Sequence, residues 1–430
     1  MSGPAVRRGL VAVAGLLLAI GVAVVVLVLV SSGTTQPHRE VTVRAATPPA
    51  PPPPPPPSRP RPRPKPRPTD DPWPLYGYDL ARTRFFPGAA KLDPPLHVGW
   101  RFGDGALLEF PPVIYDNTLY FEDANGWASA LSSTNGRLIW HRRIGTLAAA
   151  SPALDIRHGL VFFTLLSTSP GARTPGNGAV VALSMKTGKV AWSHPLPAGS
   201  ESSPLVHGLS VFLGDQSGGV HSYRTYDGHL NWTFQASGAV KGGAAFAHNT
   251  IYFGDYGAHV YAVNAADGGE VWSTAGGDSF YSTPAVAYGR VYIGSTSGSV
   301  YAFWVASGAT AWRASTGAYV YASPAVADVP GLGPTVYIGS YDGNEYAFSA
   351  DTGGVRWSHG GGGRIDGSAT VVGNVVYYSS LGSNTTTGLD WRTGRQVFSF
   401  PDGEFTPVIT DGKVLFLIGY STIYQLIPRH

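Results

Sequence analysis

The chain contains no cysteine in its 430 residues. That excludes disulfides, thiolate metal centres and a lipid-anchor cysteine, but leaves the redox compartment open. Charged side chains make up only 13% of the sequence. The twelve histidines never fall into H-E-x-x-H or H-x-x-E-H spacing, so zinc-hydrolase chemistry is not expected and no metal site is assigned. His141, His158, His194, His207, His221, His248 and His359 lie near expected strand ends or turns, where a surface position is expected. There is no G-x-S-x-G elbow and no glycine-rich loop leading into a helix.

What is abundant is glycine, at 56 residues, together with a tryptophan that returns on a fixed pitch. Trp100, Trp140, Trp192, Trp232, Trp272 and Trp312 are separated by 40 residues at every step except the second, which is 52. Trp357 follows after 45, and Phe398 takes the tryptophan's place 41 residues later. Strand-like sequence repeating every 40–45 residues is the signature of β-propeller blades. Each unit has the same grammar, as in Ser323-Pro324-Ala325-Val326, then Val336-Tyr337-Ile338-Gly339, then Glu345-Tyr346-Ala347-Phe348, then a turn at Gly353 and an outer strand ending at Trp357. No stretch inside the repeats has helical periodicity.

The units carry variants of A-x-D-x-x-T-G-x-x-x-W, in Ala182 with Gly188 and Trp192, Ala262 with Gly268 and Trp272, and likewise before Trp140, Trp312 and Trp357. Ser222 replaces the alanine before Trp232, while Gly388 and Phe398 replace both ends in the seventh unit. This pattern resembles the quinoprotein-type, PQQ-repeat propeller family, and it covers residues 70–430. The glycine is expected to supply a left-handed turn and the small residue to leave room for a neighbouring unit's indole. The aromatic at each of the eight positions is therefore read as structural docking. Trp100 stands one period ahead of the first full unit, and residues 405–430 supply three strands without an outer one. Pairing residues 96–103 with 405–430 makes an eighth blade and removes the exposed sheet edges. The expected fold is all-β: an eight-bladed propeller of four-stranded antiparallel blades. Trp73-Pro74-Leu75-Tyr76-Gly77 resembles the opening of quinoproteins and is expected to plug or brace one face.

Residues 9–30 are an uncharged run of 22 behind Arg7 and Arg8. They are expected to form a transmembrane helix that leaves residues 1–8 in the cytoplasm and the propeller outside, in the cell membrane as a single-pass protein. Residues 31–69 read as a Pro/Arg-rich extracytoplasmic linker favouring polyproline II. Before Asp70, nine basic residues and one acidic residue give +8; from Asp70 onward, 21 basic and 26 acidic residues give −5. A mildly acidic folded part without a basic stripe argues against nucleic-acid binding.

Aligning the units on the proline of the first strand exposes a ring three residues earlier: Glu109, Ala149, Glu201, Lys241, Tyr281, Tyr321, Asp366 and Glu404. These residues are expected to circle one mouth of the central channel, either as a ligand-binding rim or as plain hydrated surface. The resemblance implies two further readings. Short blades look BamB-like, implying a non-catalytic binding or assembly scaffold for envelope proteins or cell-wall polymer, with no cofactor. Relatedness to the dehydrogenases implies PQQ and calcium with alcohol or sugar oxidation, for which Asp366 and Glu404 are the nearest candidates. A ligand-sensing ectodomain is the third reading.

Overall fold

The computed structural model describes residues 73–429 apart from 89–91, 172, 173, 175, 361 and 406. The expected helix at residues 9–30 and the linker at 31–69 lie outside the described residues. Among the described residues no helix is long and apolar enough to cross a membrane.

The described chain folds into eight sheets. Blade 1 runs from Val113–Tyr115 to Leu138–Arg143, blade 2 from Ala153–Asp155 to Val190–Pro195, and blade 3 from Leu205–His207 to Leu230–Gln235. Blade 4 runs from Ala245–Ala247 to Glu270–Ala275, blade 5 from Ala285–Ala287 to Thr310–Ser315, and blade 6 from Ala325–Val329 to Val355–Gly360. Blade 7 runs from Thr370–Val372 to Gln396–Phe400, and blade 8 joins Val408–Thr410, Leu415–Ile418 and Thr422–Pro428 to Leu96–Gly103. In that last sheet Trp100 pairs with Gln425 and Phe102 with Ile423, antiparallel. Blade 7 carries a fifth strand, Phe85–Phe86, which runs parallel to Thr370–Val372.

Middle strands are nearly continuous runs of buried β-branched and aromatic residues, whereas outer strands expose alternate side chains. That contrast is what stacked blades require: inner strands are covered on both faces and outer strands meet solvent on one.

At seven of the eight seams an indole fastens one blade to the next. Trp140 donates its Nε1–H to the carbonyl of Met185 at 2.8 Å, Trp192 to Thr225 at 2.7 Å, and Trp272 to Val305 at 2.9 Å. The ring lies on the glycine turn of that next blade. A Cβ added to Gly308 would sit 2.6 Å from Trp272, at a residue whose φ is +70°. The glycine therefore provides the docking surface as well as the turn. The small residue has a different role from the one the motif suggested. Ala262 is the cross-strand partner of Trp272 in its own blade, and the ladder bulges immediately beyond it.

Candidate functional site

The first strands of the blades surround an axis, and the segment from Trp73 to Phe86 closes one end of it. Trp73 exchanges two backbone hydrogen bonds with Ile114 of blade 1, at 2.9 and 3.0 Å. The chain then offers successive carbonyls to the inner edge: Pro74 to the N–H of Leu154, Leu80 to Phe246, Ala81 to Val286, Thr83 to Val326 and Arg84 to Val371. These N–H groups occupy one register position, two residues after the aligned proline, and the segment thereby caps open strand edges. Blade 3 is reached by a side chain instead. Arg82 is fully buried and donates from Nη2 to the carbonyls of Ser203 at 3.1 Å and Pro204 at 3.0 Å. Its Nε–H donates to Ala244 at 2.9 Å, and its Nη1 to the carbonyl of Tyr76. Burial and the neighbouring Arg84 charge pull the Arg82 guanidinium down to about 9.

The position before the proline forms a belt of hydroxyls that stitches blade to blade. Ser203 Oγ accepts from the N–H of Ser151 at 3.0 Å, Thr283 Oγ1 from Gly243 at 2.8 Å, Ser323 Oγ from Thr283 at 3.0 Å and Ser368 Oγ from Ser323 at 2.8 Å. A serine or threonine recurring at that register position is the signal the sequence carries for it.

Above the belt lies a small pocket. Glu109, Glu201, Lys241, Tyr281, Tyr321 and Asp366 all line it, so six of the ring residues come together. Ala149 and Glu404 are not among its lining residues; Phe405, next to Glu404, is. Glycine at 367 is what lets blade 8 approach, since a Cβ there would fall 1.8 Å from the carbonyl oxygen of Phe405. Tyr76 closes the inner end, with its hydroxyl 2.8 Å from Ser368 Oγ and its ring edge-on to Phe110.

The cavity has two unlike halves. On one side Lys241 Nζ is 3.1 Å from Glu201 Oε1, and Tyr281 donates its hydroxyl to Glu201 Oε2 at 2.9 Å. Gln216 also donates to Glu201, and the Lys241 ammonium sits 5.1 Å over the Tyr256 ring and 5.7 Å over Tyr281. On the other side are Glu109 and Asp366. Burial pushes Glu109 up to about 7, reinforced by the Glu201 and Asp366 charges and opposed by Lys241. Burial pushes Asp366 up to about 6, opposed by a hydrogen bond from Tyr341. Burial raises Tyr281 well above its ordinary value, with Glu201 and Glu109 adding to it. Glu404 is also raised, by burial and the Asp402 charge.

Among the described residues no group of three or more His, Cys, Asp or Glu side chains is placed to hold a metal ion. One histidine departs from the expected surface position. His221 is buried, with Nε2 2.8 Å from Asp215 Oδ2 and Nδ1 3.2 Å from Thr233 Oγ1. Its strand position faces a neighbouring carboxylate, which holds the ring inside.

Residues 124–241 and 216–428 match the family model of the outer membrane protein assembly factor BamB. Outer membrane protein assembly factor BamB of Legionella pneumophila (strain Paris) is 28% identical over 134 residues, which is 31% of this chain and 31% of that protein. The match thus spans about a third of that relative's length. Among solved structures, BamB from Moraxella catarrhalis superposes with a TM-score of 0.63 at 16% identity, covering 78% of this chain and 99% of that one. Quinohemoprotein alcohol dehydrogenase from Comamonas testosteroni superposes with a TM-score of 0.64 at 15% identity, covering 84% and 82%. At these identities the two structures establish the fold alone. With the family match running over most of residues 124–428 and eight blades docked through one tryptophan–glycine grammar, the chain belongs to the BamB-like, PQQ-repeat family of β-propellers.

Proposed function

We propose that this protein is a non-catalytic binding or assembly scaffold for envelope proteins or cell-wall polymer, and that it presents the axial mouth to its partner. The observation that carries this reading is the charge arrangement of the cavity. Three carboxylates line it, and its one ammonium is already neutralised by Glu201. Pyrroloquinoline quinone is a planar tricarboxylate, and a site for it needs cationic donors or a bound metal. Lys241 is the only lysine or arginine lining this cavity, so the residues present do not fit that cofactor. The names of the BamB relatives agree with a role in assembly. The apolar run at residues 9–30 and the linker at 31–69 suit a membrane-anchored propeller held away from the bilayer. The dehydrogenase-like solved structures keep a second reading in view, PQQ- and calcium-dependent oxidation with Asp366 or Glu404 as base.

The scaffold reading is tested by placing a photo-crosslinking amino acid at Tyr341, whose ring packs against the lining residue Tyr321, or at Trp304, an exposed position outside the cavity lining. Irradiating cells should give a discrete adduct from position 341 and not from 304. The same adducts from both positions, or none from the mouth, would count against it.

A further inference from the structure

We propose, resting on the scaffold reading, that the axial cavity receives an arginine side chain carried on an extended segment of a partner protein. The cavity already contains one worked example of the chemistry. Its own Lys241 ammonium lies over two tyrosine rings and against a carboxylate. The opposite half repeats the same components, with no cation paired to its carboxylates among the described residues. Tyr321 and Tyr341 stand edge-to-face with centroids 5.0 Å apart, and Tyr321 meets Tyr281 at 5.1 Å. Glu109 and Asp366 face this half, and among the described residues neither forms an ion pair. An aromatic wall beside desolvated carboxylates is selective for an organic cation, because ring faces attract positive charge and the carboxylates supply hydrogen-bond acceptors.

Guanidinium fits these walls better than ammonium. It is planar, stacks on tyrosine, can donate to two carboxylates at once and gives up its hydration more readily. The geometry also limits how the cation arrives. Tyr76 and the hydroxyl-bearing Ser203, Thr283, Ser323 and Ser368 line the pocket, which is sized for a single side chain rather than a strand or helix. Arg364 does not fill the role: its guanidinium is exposed, 5.8 Å over the Tyr341 ring, and forms no ion pair with Asp366.

Binding should depend on pH with a definite sign. The groups facing Glu109 are Glu201, Asp366, Lys241 and Tyr281, and those facing Asp366 are Glu109, Tyr256, Tyr281, Tyr321 and Tyr341. Both acids are raised by burial, so lowering the pH protonates them and removes the attraction. Affinity for a cation should rise between about pH 5.5 and pH 8.

The experiment uses the full chain and calorimetric titration with the acetylated, amidated tetrapeptide Gly-Gly-Arg-Gly and its citrulline counterpart, which is nearly isosteric but neutral. The arginine peptide should bind saturably and the citrulline peptide about tenfold or more weakly. The double variant Glu109→Gln with Asp366→Asn should lose about tenfold in affinity while melting as a folded protein. A variant that fails to fold is replaced by Tyr321→Leu, for which the same loss is expected. Equal binding of the citrulline peptide, or unchanged affinity in the folded variants, overturns the proposal. Tighter binding of free spermidine than of the arginine peptide overturns the partner side chain as the source, and displacement of the peptide by calcium chloride overturns an organic cation. The two readings fail separately. Mouth crosslinks without arginine selectivity remove this inference and leave the scaffold, whereas arginine selectivity without mouth crosslinks removes the scaffold and leaves the cation site.

Discussion

Glu345 stands where the matching position of other blades holds a valine: Val220, Val260 and Val300 occupy the same pairing slot opposite a glycine. It is fully buried, and neither carboxyl oxygen finds a hydrogen-bond partner. Burial raises its pKa well above 4.5. For an acid shifted upward, the stability linked to the bound proton is complete below the unfolded value near 4.5 and is lost as pH rises through the folded value. Glu345→Val should therefore stabilise the fold by about 1–3 kcal/mol at pH 8 and by much less at pH 4. Thermal melts at both pH values measure this; a variant that melts lower at pH 8 would show that the carboxyl has a partner worth keeping. The anomaly was legible in the repeats, because the unit around Glu345 aligns with the others. What the sequence could not show is that this slot is fully buried. Each indole lies on the glycine turn of the next blade, whereas the sequence reading gave the small residue the role of making room for it. Spacing places an alanine opposite its own tryptophan, while the glycine that supports the indole belongs to the next blade.

At the scale of elements, the segment from Trp73 to Phe86 is the least repetitive part of the fold, and sequence alone could only suggest that it braces a face. Its contribution is mostly backbone carbonyls, which leave no residue-type signal. Arg82 is the exception, since one buried guanidinium serves the carbonyls of Tyr76, Ser203, Pro204 and Ala244. Removing it strands those acceptors and takes away its own hydrogen bonds beside blades 3 and 4, leaving the Leu80 carbonyl on Phe246. Arg82→Ala should cost on the order of 3 kcal/mol or more, read as a lower denaturation midpoint. A midpoint within error of wild type would mean that the carbonyl contacts alone hold the segment. The mouth ring was visible because charge is rare in this chain and recurs in register. Tyr76, Phe110 and Phe405 were missed because aromatic residues are common here and only the fold distinguishes those that line the cavity.

For the whole molecule, closure rests on a sheet made from distant parts of the chain. The seam between blades 7 and 8 cannot use the tryptophan dock. The third and outer strands of blade 8 come from Thr422–Pro428 and Leu96–Gly103, so no turn joins them and there is no glycine for an indole to cover. Phe398, whose ring has no N–H to donate, occupies the docking position there. Asp402 stitches the seam instead, accepting from the Tyr424 hydroxyl at 2.8 Å and the Tyr420 N–H at 3.2 Å. Deleting residues 406–430 removes three strands and leaves the Trp100 strand without its partner, opening edges on both neighbours. The truncated chain should lose cooperative melting altogether. A sharp transition near the full-length temperature would contradict ring closure as a condition of stability.

The central claim is that this propeller binds without catalysing. It is tested most directly by incubating the full chain with PQQ and calcium chloride, measuring bound cofactor, and assaying alcohols and sugars with an artificial electron acceptor. A cavity with three carboxylates and a neutralised lysine should take up no stoichiometric PQQ and give no turnover above the protein-free rate. One equivalent of bound cofactor, with turnover that disappears in Asp366→Ala or Glu404→Ala, would contradict the account and make the molecule an oxidoreductase.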